Sequence, residues 1–389
     1  MANHPACPGS RAAGIPDISL FCCQPKEPTV TLSSTRIAFL TGSLAAALLG
    51  HGAAFADDWF PYQAEATEPA FSATGKKTPI DYMPLAKAAK KWDICVSFPH
   101  MKDAYWLGVD YGIAEESRRL GVKMQLADAG GYTNLAKQIS QIEDCVARGA
   151  QAVVIGAISG DGLGNVLKTV AAKKLPIIDL VNGMNAPEVS AKSLVSFYTM
   201  GQSTGEYLAK KHPAGSPAVK VGWFPGPAGA AWVEAAHKGF MDAVKGSAVV
   251  VLDPKYGDTG KEVQAKLVED VLQGNPDLAY VAGTAVTAEA ASGILRARKL
   301  DTKVQLLSFY MTPGVYEGIQ KGRIVAAPAD SMVIQGRIAI DQAVRLLEGR
   351  AVHKHVGPKI FVVDSANLKS VKLTDILPPV GFKPVFEVQ

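Results

Sequence analysis

The residues that could recognise or transform a molecule fall between strand-like runs. SFPHMKDAYW holds Asp103, Tyr105 and Trp106, and DAGGYT holds Tyr132. GAISGDG holds Asp161, WFPGPAGAAW holds Trp232, SFYMTP holds Tyr310 and AAPADSM holds Asp330. Ligands of open α/β sheets sit outside the carboxyl ends of the strands, so these segments are candidates for one shared site. Their content is aromatic residues, Gly and Pro rather than catalytic groups. No HExxH or DxD occurs, and GWFPGPAG has neither the GxGxxG spacing nor the Lys of a phosphate loop. His100, His212, His237, His353 and His355 show no metal spacing and no paired nucleophile. The expectation is a protein without enzymatic activity, cofactor or metal.

What the aromatics could do is bind. A Trp or Tyr face attracts a methylated ammonium by up to ~2 kcal/mol when desolvated. A sugar site also stacks on aromatics but adds several Asp, Asn and Arg groups. Here the acidic candidates are only Asp103, Asp161 and Asp330. Packing is the plainer reading for any one ring, most of all for Trp106, which also fits the core face of its helix. Asp103 reads equally well as a helix N-cap.

The elements that must carry these residues alternate regularly. WDICVSF is a strand, Asp103 to Leu120 has helical spacing, and Gly121 stops it. VKMQLADA, a helix over 133–148, AVVIGA, a helix through 166–172 and PIIDLV follow. A second series begins near Gly201 with a helix to Lys211, then VKVGWF, a helix over 231–244, AVVVLDP, a helix over 261–273, LAYVAG, a helix over 285–298 and VQLLSFY. Strands alternating with helices predict parallel sheets with right-handed crossovers. The fold class is α/β, as two doubly wound parallel-sheet lobes. The tail from Ile324 has a strand-like segment, a helix over 333–348 and a final IFVV, too little for a third domain. It is expected to cross back between the lobes and make a multi-stranded hinge. The expected organisation is an extended lead-in over 57–90, lobe 1 over 91–198 plus 328–352, and lobe 2 over 199–327 plus 353–389.

The N-terminus carries an address. Ile37 to Gly50 is an apolar run of 14 residues, short for a membrane span and of signal-peptide length. Arg36 flanks it and Ala54-Phe55-Ala56 offers a cleavage site, so residues 1–56 read as a cleaved signal segment with its true start within residues 1–36. Removing it takes away Cys7, Cys22 and Cys23 and leaves Cys95 and Cys145 in an oxidising compartment. The net charge of +4 comes from 40 basic and 36 acidic residues with no basic cluster, which argues against a nucleic-acid partner.

At the loop after the first strand the sequence becomes recognisable. FPHMKDAYWLGVDYGIAEESRRLGV, AGGYTNLAKQISQIEDC and SFYMTPGVYEGIQKGRIVAAPADSMVIQGRIAIDQAV resemble the periplasmic trimethylamine N-oxide (TMAO) sensors of the type I periplasmic binding protein family. The likeness covers roughly residues 85–385, with VVIGA, LVN, PGP and VAGTA in the expected order. It implies a small-molecule ligand, TMAO or a similar methylated amine, held in an interlobe cleft. It also implies a partner, the periplasmic sensor domain of a membrane histidine kinase. The ligand-box role carries over to Asp103, Tyr105, Trp106 and Tyr310, and with them Tyr132 and Asp330. Phe197 departs from the Trp that some members have there; it keeps an apolar wall but has no N–H to donate. Trp232 is expected to compensate from the opposite lobe. In the 2-1-3 sheet order of this fold the helix between the second and third strands crosses the first, which makes a Cys95–Cys145 disulfide plausible. The rival reading is the solute-binding subunit of an ABC importer for a sugar or a methylated amine.

Overall fold

The structure is a computed structural model that describes residues 59–72 and 75–389. The expected signal segment, with Cys7, Cys22 and Cys23, lies outside the described residues. The chain opens with a hairpin, β1 (Tyr62–Glu68) and β2 (Lys76–Tyr82). Then come β3 (Asp93–Phe98), α1 (Ala104–Leu120), β4 (Lys123–Asp128), α2 (Leu135–Ala147), β5 (Ala152–Ile155), α3 (Gly164–Ala172), β6 (Ile177–Leu180) and β7 (Ala191–Ser193). The second series is α4 (Phe197–Lys211), β8 (Val219–Phe224), α5 (Ala231–Val244), β9 (Val249–Val251), α6 (Lys261–Gly274), β10 (Leu278–Gly283), α7 (Ala285–Ala297), β11 (Gln305–Ser308), α8 (Pro313–Gln320) and β12 (Ala326–Ala329). The chain finishes with α9 (Met332–Leu347), β13 (His355–Pro358), β14 (Phe361–Asp364), α10 (Leu373–Ile376) and β15 (Glu387–Val388).

Two sheets result, one in each lobe. The first runs β15-β4-β3-β5-β6-β7-β13-β1-β2 and the second β14-β12-β11-β10-β8-β9. β3 through β7 pair in parallel, as do β8 through β12. Strands such as β5 (AVVI) are buried on both faces, as sheets covered by helices require. The chain passes between the sheets four times: after β7, after β12, after β13 and after β14. The second passage runs through Asp330 and Ser331, the latter held at φ 50.

α1 and α9 pack together through glycine. A Cβ at Gly112 would overlap the Val333 carbonyl, and one at Gly336 the Val109 carbonyl. That close approach fixes α1, which starts beside the cleft, against the helix that leaves the hinge. The strand order β4-β3-β5 lays α2 over β3, and Cys95 and Cys145 form a disulfide with Cα atoms 6.0 Å apart.

Two placements differ from the sequence reading. The lead-in is a sheet hairpin tied down by buried groups: Tyr82 donates to Asp341 at 2.6 Å, and Trp59 Nε1 to Glu116 at 2.9 Å. Its polar composition conceals this because only one face is covered. The stretch 353–389 does not stay with lobe 2. β13 and β15 join the first sheet and only β14 joins the second. These strands have four, two and four residues, too short for a periodic signal, and their partners set their places.

Candidate functional site

Strand ends from both sheets meet over a buried carboxylate. Asp103 caps α1: its Oδ1 accepts from the Tyr105 backbone N–H at 2.9 Å. Its other oxygen accepts the Tyr310 hydroxyl at 2.5 Å. Tyr310 follows β11, so this bond joins the two lobes. Asp103 is therefore both cap and cleft residue. Burial raises it to about 6, opposed by the bonds from Tyr310 and Tyr105. Tyr105 donates in turn to Asp330 at 2.5 Å, and Gln335 Nε2 donates to the same oxygen at 2.8 Å. Burial holds the Tyr105 and Tyr310 hydroxyls protonated, well above the ordinary phenol range.

Around Asp103 the rings close a small cavity. It is lined by Tyr105, Trp106, Tyr132, Phe197, Trp232 and Tyr310 together with Asp103. The space they leave is small and suits a very compact ligand. Trp106 lies 4.6 Å from Phe98 between ring centroids, so it serves the core and the cavity together. Trp232 lies 5.5 Å from Phe197 and 5.8 Å from Tyr132. Its indole nitrogen is buried without a hydrogen-bond partner. It approaches the Tyr132 hydroxyl closely enough to hold down that group's pKa, but outside hydrogen-bond geometry. Burial nevertheless leaves Tyr132 well above the phenol range.

Not every expected residue lines the cavity. Asp330 stands behind Tyr105 and supports it, with one oxygen unpartnered. Asp161 is exposed and accepts from Asn185 at 3.0 Å. Conversely, Val181, Asn182 and Thr259 line the cavity and were not singled out from sequence. They lie after β6 and β9, two strand ends whose loops carry no aromatic cluster to draw attention. Asn182 donates to the Tyr132 hydroxyl at 2.9 Å and to the Ala157 carbonyl at 2.7 Å. Val181 sits at φ 66, a left-handed conformation unfavourable for a β-branched residue. Strain of this kind costs on the order of 1–3 kcal/mol and collects at ligand walls.

Two further ties cross the cleft beside Asp103. His100 Nε2 meets the Thr259 hydroxyl at 2.9 Å, and Lys102 meets Asp258 at 3.5 Å. Burial pushes His100 down to about 4, so its ring is neutral near pH 7. Among the described residues no group of three or more His, Cys, Asp or Glu could hold a metal, and no helix is long and apolar enough to cross a membrane.

A periplasmic binding protein domain model matches residues 94–351, most of both lobes. The chain belongs to the periplasmic binding protein family. Within this family it is 39% identical over 303 residues to the periplasmic protein TorT of Escherichia coli K12, covering 78% of this chain and 86% of that protein. A solved ABC transporter solute binding protein from Bradyrhizobium sp. BTAi1, with bound Bis-Tris, is 72% identical. It matches with a TM-score of 0.74 over 85% of this chain and 99% of its own. A TorS sensor domain–TorT complex solved in the presence of TMAO matches at 31% identity and a TM-score of 0.70, over 76% of this chain and 100% of its own. The type I fold and the periplasmic location follow from this membership, and the relatives are binding and sensing proteins.

Proposed function

We propose that this periplasmic binding protein senses TMAO in the interlobe cleft and reports closure to the periplasmic sensor domain of a membrane histidine kinase. The observation that carries the reading is the cavity itself: six aromatic rings and one buried carboxylate around a space for a very compact molecule. TMAO presents three methyl groups around a positive nitrogen and one negative oxygen. The methylated face suits the rings, each cation–π contact contributing up to ~2 kcal/mol when desolvated. Asp103 adds a negative charge beside the nitrogen. Tyr105 and Trp106 offer walls from lobe 1, and Tyr310 and Trp232 from lobe 2. Asp330 holds Tyr105 from behind.

A ligand touching both lobes favours the closed form, and the partner reads the surface that closure creates. The likeness to TorT, solved with the TorS sensor domain and TMAO, supports this partner class. The rival reading is the solute-binding subunit of an ABC importer for a sugar or a methylated amine, since the Bradyrhizobium relative is an ABC transporter solute binding protein. Co-purification with a kinase sensor domain or with a permease separates the two.

Isothermal titration with TMAO, betaine, choline and ribose tests the ligand. Selective TMAO binding is expected. Tight ribose binding with no response to TMAO overturns the reading.

A further inference from the structure

We infer that the indole N–H of Trp232, with the hydroxyl of Tyr132, reads the oxygen of the ligand and ranks amine N-oxides above quaternary ammonium ions of the same shape. This rests on the proposed amine-oxide site and adds the element that chooses within the class of methylated amines. Trp232 is 5% exposed, lines the cavity, and keeps its nitrogen without a partner. A buried donor left unsatisfied carries a desolvation penalty, which a ligand oxygen would recover. Tyr132 stands 5.8 Å away between ring centroids. Its oxygen already accepts from Asn182, which leaves its own proton to donate. The two donors thus share one wall of the cavity.

The other wall orients the ligand. Asp103 offers only acceptor oxygens when ionised, and both already face donors. An N-oxide oxygen placed there would meet like charge. Turned about, it meets Trp232 and Tyr132 while the positive nitrogen faces Asp103. Phe197, 5.5 Å from Trp232, has no hydrogen to give, so on this wall the N–H comes from Trp232. Tetramethylammonium has the same tetrahedral outline but a methyl where the oxygen stands, and it would leave both donors buried and unpaired.

The test compares TMAO with tetramethylammonium on the whole protein by isothermal titration, for wild type and Trp232→Phe. Wild type is expected to prefer TMAO, and the variant to lose about tenfold or more on TMAO and clearly less on tetramethylammonium, so that the preference falls. An equal loss on both ligands reduces Trp232 to a space-filler and overturns the inference, as does an unchanged TMAO affinity. Should the variant melt early, wild-type protein decides: the Trp232 indole proton resonance moves downfield with TMAO and not with tetramethylammonium. A resonance that ignores TMAO overturns the inference too. Wild-type protein that binds no TMAO removes the proposed function along with it, whereas the variant results bear on Trp232 alone.

Discussion

Asp103 concentrates the electrostatics of the site on one side chain. Burial raises it from 3.8 to about 6. Because the folded value is raised, its stabilising contribution is fully present below the unfolded value and is lost as pH rises through about 6. The loss is on the order of 3 kcal/mol. A positive ligand nitrogen favours the ionised carboxylate and offsets that loss. TMAO is therefore expected to raise the melting temperature more above pH 6 than below it. Near pH 6, binding should release protons, seen as a titration enthalpy that varies with the buffer's ionisation enthalpy. A melting-temperature gain that ignores pH between 5 and 7.5 would remove Asp103 from contact with the ligand. Sequence made this residue legible because SFPHMKDAYW places a carboxylate and two rings at one strand end. It left the cap and the cleft roles as alternatives, whereas the two oxygens divide them. Asn182 and Thr259 were not legible because they serve by position: nothing in their residue type separates them from ordinary loop polars.

At the scale of elements, periodicity recovered α5 over its full length, and α1 but for its cap, since long amphipathic helices carry a strong signal. The α8 turn, opened by Thr312 and Pro313, has only eight residues, too few for a strong periodic signal. β7, β13 and β15 depend wholly on their neighbours for pairing. The disulfide belongs to this scale, because it pins α2 to β3 across a separation of 50 residues. Closing a loop of that length stabilises by roughly 4 kcal/mol on the chain-entropy model. Reduction, or the paired change Cys95→Ala with Cys145→Ala, is expected to lower the melting temperature by several degrees in a calorimetric scan. An unchanged melt under strong reductant would show that the covalent link adds nothing to the packing of α2.

At the scale of the whole molecule, one short segment, His100 to Asp103, holds the lobes together through Thr259, Asp258 and Tyr310. The Lys102–Asp258 pair is partly exposed and so is worth well under ~1 kcal/mol. Asp258→Asn is expected to weaken TMAO binding less than fivefold, with the deficit fading at high salt. A larger loss that persists in salt would make the pair part of the binding wall rather than an outer tie. The two-lobed plan was legible from two consecutive βα series. The allocation of the tail was not, because short strands take their places from strands far away in sequence.

The position of β13 between β7 and β1 sets an order of assembly. The core of the second sheet, β8 to β12, is drawn from one continuous stretch, so its pairings can form as that stretch emerges. The first sheet stays split until residues 355–358 arrive, some 160 residues after β7. Until then the β1–β2 hairpin has no neighbour on one side and β7 shows a bare edge open to other strands. The lobe that begins first therefore finishes last, and a chain halted before β13 would be the form most in need of a holding chaperone during export.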